Sequence, residues 1–367
     1  MRIKPFKALF PDMDLVPSAN SFFAVMKFEF PQYLKNSFFK LTSEPGYYIY
    51  QIKQRGQICT GIVASTSVKD IYDHKILKHE NTIAKKEQQM LDLALQRHAM
   101  IKPVLLAHKH SKKLEAIYTE VKSGKLFLSI NFEEEESEHK LWIVKNKNTI
   151  QELHDIFKAD VPVAYIADGH HRVSTGILLN ATRKNTQTQF GDILSIYFSF
   201  KNLQIYDYNR VVSILKEISS VKLMAKLSKL FHIKSIKNIR KPKEKYEITM
   251  MMGEEAYTLK WKKKYITATT SDEVVLDARL LNKFVFDKIM KIKNVRTDNR
   301  IRYIGGVEGI EGIKSRMFKD DYSVAFLLFP VSEKELKQIA DKGYTLPPKS
   351  TWFEPRIKNA IISQLFE

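Results

Sequence analysis

The chain has 367 residues, a hydrophobic fraction of 44% and a formal net charge of +19. This length exceeds one typical domain, so we expect two domains that each bury a core. The composition is that of a soluble globular protein and excludes extensive disorder. The single cysteine, Cys59, excludes an intrachain disulfide framework and suits a reducing compartment.

The positive charge comes mainly from lysines spread along the chain, and only 237–245 is a concentrated basic patch. Dispersed lysines are more typical of a solvated surface than of a binding groove, so nucleic-acid binding is possible but not favoured. The sequence has no apolar run long enough for a membrane span, and residues 1–6 lack the apolar region of a signal peptide. We therefore expect a cytoplasmic protein that does not bind membranes.

Hydrophobic periodicity predicts the elements of residues 1–200. The predicted strands are 3–11, 47–52, 58–65, 103–107, 114–118, 141–144 and 193–200, and the predicted helices are 22–42, 84–96 and 149–159. The strands at 47–52 and 58–65 are separated by a short turn and predict a hairpin.

The same patterns continue through residues 201–367. The predicted strands are 203–208, 246–252, 256–261 and 324–329, and the predicted helices are 211–219, 223–231, 275–290 and 333–342. We find no internal repeat and no low-complexity linker. The fold class is therefore α+β, with a first domain at 1–200 and a second at 201–367 packed closely on it.

A polar cluster interrupts the pattern after 161–167, a short apolar run of strand composition. The cluster is Asp168, Gly169, His170, His171 and Arg172, and a helical pattern follows it. Glycine can adopt a positive φ at such a strand-to-helix turn, and the first N–H groups of the helix are available to an anion. Asp168 could instead simply cap the helix. We favour an anion site, above all for phosphate, because ionisable groups cluster at the element boundary.

Two other segments are candidates. His79 and Glu80 place an imidazole beside a carboxylate, which can supply a general base and the group that orients it. Thr82 is explained equally well as the cap of the helix that follows. The segment 346–356 holds basic, hydroxyl and aromatic side chains between prolines, and it is either a binding loop or a plug over the core.

The sequence lacks several common catalytic motifs. It has no cysteine pair and no HExxH, so no metal site is predicted. It also lacks a P-loop, a GxGxxG and a serine elbow.

Taken in order, the motifs resemble the DUF1015 family, a domain of unknown function. They are Pro5-Phe6, 78–82, 165–172, 207–212, 296–301 and 348–356. The element 168–172 also resembles the phosphate-binding turn of the ParB/sulfiredoxin superfamily, which includes CTP-binding partition proteins, sulfiredoxin and an ADP-dependent free-serine kinase. Three positions depart from the family pattern: no Pro-Tyr-Asp segment lies near the N-terminus, 88–89 is Gln-Gln, and residue 209 is Asn.

The resemblance implies a ParB/sulfiredoxin-like domain at 1–200 that binds ATP or ADP with Mg²⁺, and a second domain at 201–367 that closes the site. The implied catalytic residues are Glu80, His79 and Asp168, with Glu80 as general base. The implied phosphate-binding residues are Gly169, His170, His171 and Arg172, joined by Lys349, Ser350, Thr351 and Arg356.

The function that this resemblance favours is a nucleotide-dependent phosphotransferase acting on a small, amino-acid-like hydroxyl substrate. Two alternatives use the same turn. One is a ParB-like nucleotide-binding protein associated with DNA, and the other is a phosphatase for a small metabolite such as phosphoserine.

Overall fold

The computed structural model describes residues 1–182, 192–267 and 274–366. The chain forms two units: unit 1 consists of Met1–Gln204 with Pro355–Glu367, and unit 2 of Ile205–Glu354. Both mix helices with strands, so the fold is a mixed α/β one. No helix of the described ranges combines the length and the apolar character needed to cross a bilayer.

Unit 1 is built around one large sheet. Its helices are α1 (Ala19–Lys35), α2 (Lys69–Tyr72), α3 (Ala84–Arg97), α4 (Lys112–Lys122), α5 (Lys147–Asp160) and α6 (His170–Thr182). Its strands are β1 (Ile3–Lys4), β2 (Ala8–Pro11), β3 (Phe39–Leu41), β4 (Tyr47–Gln54), β5 (Gln57–Ser67), β6 (Ile76–Leu77), β7 (Ala99–Met100), β8 (Val104–His108), β9 (Leu128–Phe132), β10 (Ser137–Val144), β11 (Ala164–Asp168), β12 (Asp192–Ser199) and, near the C-terminal end, β21 (Ser363–Leu365). Short 3-10 turns lie at Met13–Leu15, Glu133–Glu135 and Phe200–Asn202.

The large sheet has nine strands in the order β6-β11-β8-β12-β5-β4-β10-β9, with β1 paired to β5. The hairpin β4–β5 confirms the predicted pair of strands. Strands β8 and β12 run parallel, and β11 lies antiparallel to β8. These central strands are apolar on both faces because both faces are covered, and β11 delivers its last residue, Asp168, to one end of the sheet.

Residues 355–367 belong to unit 1, whereas the domain predicted from the sequence at 201–367 included them. They join unit 1 because they contribute a strand to a four-stranded sheet in the order β3-β2-β21-β7. Strand β21 pairs with β2 on one side and with β7 on the other, so 355–367 packs with N-terminal elements.

The predicted helix 22–42 was wrong at its end, because α1 ends at Lys35 and residues 39–41 form β3. Two further predicted elements were wrong. Residues 114–118 form part of α4 and not a strand: Leu114, Ile117 and Tyr118 are buried at helical spacing, and Ser111 caps the helix by accepting from the Leu114 N–H. Residues 211–219 do not form a helix, because the strand that begins at Tyr208 runs through Ser213. A short apolar run fits either element, and packing against neighbours decides between them.

Unit 2 contains a second sheet. Its helices are α7 (Ser220–Leu230), α8 (Lys263–Thr267), α9 (Asp277–Leu280), α10 (Gly309–Met317) and α11 (Glu333–Asp341), with a π-helical segment at Leu281–Asp287 and a 3-10 turn at Gly306–Glu308. Strand β13 (Gln204–Tyr206) begins at the unit boundary, and β14 (Tyr208–Ser213), β15 (Phe231–Ile236), β16 (Glu247–Met252), β17 (Glu255–Trp261), β18 (Ile301–Gly305), β19 (Ser323–Leu327) and β20 (Trp352–Glu354) follow.

The sheet of unit 2 has six strands in the order β15-β17-β16-β19-β14-β18. Leu223 and Leu227 of α7 and Phe284 of the π-helical segment belong to the core on one face. Ile313 of α10 packs in a smaller core on the other face. Because helices cover both faces, β14 is buried along most of its length, including its polar residues.

Candidate functional site

The strand-to-helix turn predicted at residues 168–172 is present in unit 1. Strand β11 ends at Asp168, Gly169 has a φ of +106°, and α6 begins at His170. The Val173 N–H donates to the Gly169 carbonyl oxygen at 3.0 Å and closes the first helical turn. The N–H groups that precede it have no acceptor within the helix, and the helix dipole favours an anion at this end.

Arg172 is held tightly against this turn. Its Nη2 donates to Asp168 Oδ2 at 2.6 Å, and its Nη1 donates to the Pro103 carbonyl oxygen at 2.6 Å. A Cβ atom on Gly169 would lie 2.8 Å from Arg172 Nε. Residue 169 must therefore be glycine for two reasons: its φ is positive, and the Arg172 guanidinium approaches it closely.

The cations around Asp168 make the turn electrostatically positive. Lys102 Nζ lies 3.9 Å from Asp168 Oδ2. Burial would raise the pKa of Asp168, but Arg172, Lys102 and Arg356 hold it far below its ordinary value. Burial, and after it Arg172 and Arg356, lower the pKa of Lys102 to about 8 although Asp168 opposes them. The carboxylate is thus ionised, and the net local potential disfavours a further positive charge.

The segment containing His79 and Glu80 packs against this turn. The His79 N–H donates to His170 Nε2 at 3.4 Å, and the two imidazole rings meet edge to face with centroids 4.5 Å apart. Two clusters separated by about ninety residues in the sequence are therefore neighbours. Glu80 is half-buried and directly follows the residue that makes this contact.

The contact continues along the first turns of α3 and α6. The Ile83 N–H donates to His171 Nε2 at 3.2 Å, and Ser174 Oγ donates to Thr82 Oγ1 at 3.4 Å. The N-cap residue of α3 is Ile83, whose apolar side chain cannot cap a helix. The alternative that Thr82 caps this helix is therefore wrong. Thr82 is instead part of the contact with α6.

Both imidazoles in the contact are neutral at pH 7. Burial, followed by the charge of His170, lowers the pKa of His79 well below its ordinary value. Burial lowers the pKa of His170 to about 4, against the opposing effect of Asp168. Because His170 Nε2 accepts a hydrogen bond, the proton of the neutral ring lies on Nδ1. Neither ring therefore brings a positive charge to the turn.

The segment 346–356 is divided between the two units. Arg356 belongs to unit 1, where its charge acts on Asp168 and Lys102. Lys349, Ser350 and Thr351 belong to unit 2. Their participation in phosphate binding stays a prediction.

Within unit 2 the start of this segment is tightly folded. Lys349 has a φ of +55°, and its carbonyl oxygen accepts from Arg210 Nη2 at 3.0 Å. Ser350 Oγ donates to the Pro347 carbonyl oxygen at 2.7 Å.

Sequence reasoning missed Lys102. It lies two residues before β8, and the antiparallel pairing of β8 with β11 brings it to Asp168. The sequence shows a lysine just before a predicted strand. Only the order of the strands in the sheet shows that this lysine lies beside Asp168. Across the described ranges, no group of three or more His, Cys, Asp or Glu side chains could hold a metal ion.

Acid is expected to unfold unit 1 well above the pKa of its carboxylates. Burial lowers the pKa of His108 and of His170 to about 4, and the unfolded values are near 6.5. The unfolded state therefore takes up protons first, so stability is fully present above pH 6.5 and is lost as the pH falls towards 4. Each of the two imidazoles costs about 3 kcal/mol by pH 4.

Urea unfolding followed by circular dichroism between pH 7.5 and 4 measures this loss. His108→Asn, which cannot take up the proton, should flatten the profile, whereas His110→Gln at a more exposed position should leave its shape unchanged. A free energy of unfolding that is constant down to pH 4 would contradict the buried neutral state of these rings.

The family model described as "Protein of unknown function (DUF1015)" matches residues 10–280. No curated protein matches the chain.

Among solved structures, a free serine kinase variant in complex with AMP is similar, with 12% identity and a TM-score of 0.40 over 82% of this chain and 92% of that chain. SbnI with a C-terminal truncation from Staphylococcus aureus has 12% identity and a TM-score of 0.41 over 80% and 82% of the two chains. A conserved hypothetical protein from Pyrococcus furiosus has 12% identity and a TM-score of 0.38 over 82% and 94%. Because the family model spans most of the sequence, the chain belongs to the DUF1015 family.

Proposed function

We propose that the turn Asp168–Arg172 binds the phosphates of ATP or ADP and that the protein transfers a phosphoryl group to a small, amino-acid-like hydroxyl substrate. The observation that carries the proposal is the combination at this turn of a helix N-terminus with a partly buried surplus of positive charge. Gly169 and His170 supply the backbone N–H groups, and Lys102 with Arg172 supplies the charge.

Phosphate suits these donors for two reasons. Its oxygens accept several backbone N–H bonds at once, which the start of α6 can donate. Burial, and after it repulsion from Arg172, lowers the pKa of Lys102 to about 8. The negative charge of a phosphate relieves this repulsion, so phosphate binding should raise that pKa. Stabilising charge and fixing geometry are the main requirements of phosphoryl transfer.

The carboxylates take different roles in the proposal. Asp168 is too weak a base to accept the substrate proton, because its pKa lies far below the ordinary value, so it positions Arg172 and Lys102. Glu80 accepts the proton of the substrate hydroxyl, and His79 fixes the Glu80 segment against His170. The hydroxyl oxygen forms a bond to the terminal phosphorus as the bond from that phosphorus to its bridging oxygen breaks.

Mg²⁺ commonly binds the phosphates of a nucleotide together with one or two carboxylates. Asp168 already pairs with Arg172 and lies 3.9 Å from Lys102, so it suits a further cation poorly, and the ion would be held mainly by the phosphates. When bound, the ion neutralises charge on the transferred group.

Glu80→Gln tests the assignment of the base. We expect phosphoserine formation from serine and ATP or ADP, measured by phosphorus NMR with Mg²⁺, to fall about 100-fold or more, since general bases contribute roughly 10²–10⁴. Nucleotide affinity should stay within about two-fold, because an uncharged amide replaces a group that does not bind phosphate. Glu115→Gln on α4, an exposed carboxylate, is the matched control.

Two results would contradict the proposal. One is turnover by Glu80→Gln equal to that of the unchanged protein. The other is release of inorganic phosphate from phosphoserine without nucleotide, which would favour the phosphatase. Binding of duplex DNA that weakens steeply with salt and depends on the nucleotide would instead favour the ParB-like alternative.

A further inference from the structure

A large cavity in unit 1 lies apart from the Asp168–Arg172 turn. Its volume is about 920 Å³, which falls in the range of roughly 300–1,000 Å³ that is typical of small-molecule sites. The cavity is lined by β1, by the chain from the end of β5 through α2, by part of α5, and by Asn180 and Asp192. Asn180 lies near the opposite end of α6 from His170, about 15 Å along the helix axis, so the cavity and the turn are separate sites.

The charged side chains of this cavity are mostly basic. They are Arg2, Lys4, Lys69, Lys75 and Lys158, together with the acidic Asp192. Lys4 Nζ lies 2.9 Å from Asp192 Oδ2, so these two charges cancel.

Two more of the basic side chains have carboxylate partners. Arg2 Nε lies 2.7 Å from Oδ1 of Asp70, which is fully buried, and Arg2 also pairs with Asp73. Lys75 Nζ lies 3.8 Å from the same oxygen of Asp70. Arg2 and Lys75 are therefore largely neutralised by these two carboxylates.

Lys69 and Lys158 are the remaining cations. Lys69 is the first residue of α2, Lys158 lies in the last turn of α5, and both are exposed. None of the ion pairs among the described residues includes either lysine. Residues 183–191, which lie outside the described ranges, contain no Asp or Glu and so cannot add a carboxylate. The cavity thus presents two lysines from different elements whose charges the described part of unit 1 does not neutralise.

Apolar side chains form much of the rest of the lining. They include Ile3, Val68 and Pro162, and the Tyr72 ring, which is 57% exposed. An exposed tyrosine ring offers a face against which an apolar or aromatic group can pack. A bare ion would fill little of a cavity of this size, so the lining suits a ligand that has both an anionic group and an apolar body.

We propose that this cavity binds an organic phosphate, a phosphomonoester whose body is apolar or aromatic. Lys69 and Lys158 bind the phosphate oxygens, and Tyr72 packs against the body of the ligand. A phosphomonoester carries a charge of about −1.5 to −2 near pH 7, which matches two lysines, whereas a single carboxylate matches only one. Lysine also binds phosphate well as a point charge, without the paired geometry that arginine supplies.

Calorimetric titration of the full chain at about pH 7.5 tests the proposal with 1-naphthyl phosphate, 1-naphthoate and inorganic phosphate. We expect 1-naphthyl phosphate to bind with a Kd below about 1 mM. Its affinity should exceed that of 1-naphthoate by about ten-fold or more, because the carboxylate carries less negative charge. It should exceed that of inorganic phosphate by a similar factor, because the bare ion buries no apolar surface.

A double variant locates the binding. Lys69→Gln with Lys158→Gln removes both exposed cations and should weaken 1-naphthyl phosphate about ten-fold. Lys35→Gln with Lys125→Gln is the matched control, because it lowers the net charge equally at two exposed lysines of unit 1 that do not line the cavity. The control should bind 1-naphthyl phosphate as the unchanged protein does.

Three results would overturn the proposal. The first is that 1-naphthyl phosphate does not bind the unchanged protein. The second is that 1-naphthoate or inorganic phosphate binds as tightly as 1-naphthyl phosphate. The third is equal binding by the two double variants, which would place the probe elsewhere, for example at the Asp168–Arg172 turn. Phosphoserine formation by the same samples should not differ among them, so the cavity is tested separately from phosphoryl transfer.

Discussion

Gly61→Ala is expected to destabilise unit 1 severely. Gly61 lies in β5, and a Cβ atom there would be 2.1 Å from the Tyr197 carbonyl oxygen and 2.5 Å from the Phe198 ring. The Tyr197 oxygen belongs to the backbone of β12, so no side-chain rotation relieves the overlap, and the two central strands must separate. We expect a loss of at least about 3 kcal/mol, a large share of the stability of a domain.

Urea unfolding followed by far-ultraviolet circular dichroism measures this effect. Gly124→Ala after α4 is the matched control, because its Cβ atom would meet only the Val121 carbonyl oxygen at 3.3 Å, and we expect a change within about 1 kcal/mol. Equal unfolding midpoints for the two variants would show that the register of β5 on β12 is wrong.

Gly169→Ala is expected to abolish nucleotide binding. The added Cβ atom would lie 2.8 Å from Arg172 Nε, and the guanidinium is pinned by Asp168 and by the Pro103 carbonyl oxygen. Either Arg172 leaves its place or the backbone at φ +106° changes, and both disturb the start of α6. We expect ADP affinity to fall about 100-fold and the free energy of unfolding to fall by about 2 kcal/mol.

Gly253→Ala separates the local clash from the general cost of a positive φ. Gly253 has a φ of +58°, and a Cβ atom added there would meet no other atom within 4 Å. The substitution therefore introduces backbone strain only, which should lower the free energy of unfolding by about 1 kcal/mol. The ADP affinity should be unchanged. Calorimetry gives the affinities and thermal unfolding gives the stabilities. An ADP affinity of Gly169→Ala within about two-fold of the unchanged protein would be incompatible with the proposed phosphate site.

The local part of the candidate site could be predicted from the sequence. Asp168-Gly169 ends an apolar run and precedes a helical pattern, so the strand, the turn and the helix follow from short-range rules. The hairpin β4–β5 follows in the same way. By contrast, the run at 114–118 satisfies both strand and helix patterns, and its burial at helical spacing is visible only in the packed structure.

The long-range part could not be predicted from one sequence. Lys102 reaches Asp168 only because β8 lies beside β11, and His79 meets His170 only because its segment packs on α6. The motif series suggested that the segments act together but not which atoms touch. Arg210 illustrates the same limit, since the sequence shows an arginine in a strand but not its burial without a carboxylate partner among the described residues.

The binding of phosphate at the Asp168–Arg172 turn is tested most directly by the amide signal of Gly169. Asp168-Gly169 is the only Asp-Gly step in the sequence, so protein labelled with carbonyl-¹³C aspartate and ¹⁵N glycine gives a single signal for that amide in a carbonyl-filtered spectrum. Adding ADP should shift this signal markedly, because the N–H donates to a phosphate oxygen, and adding adenosine should leave it in place. A Gly169 signal that saturating ADP does not move would contradict the account.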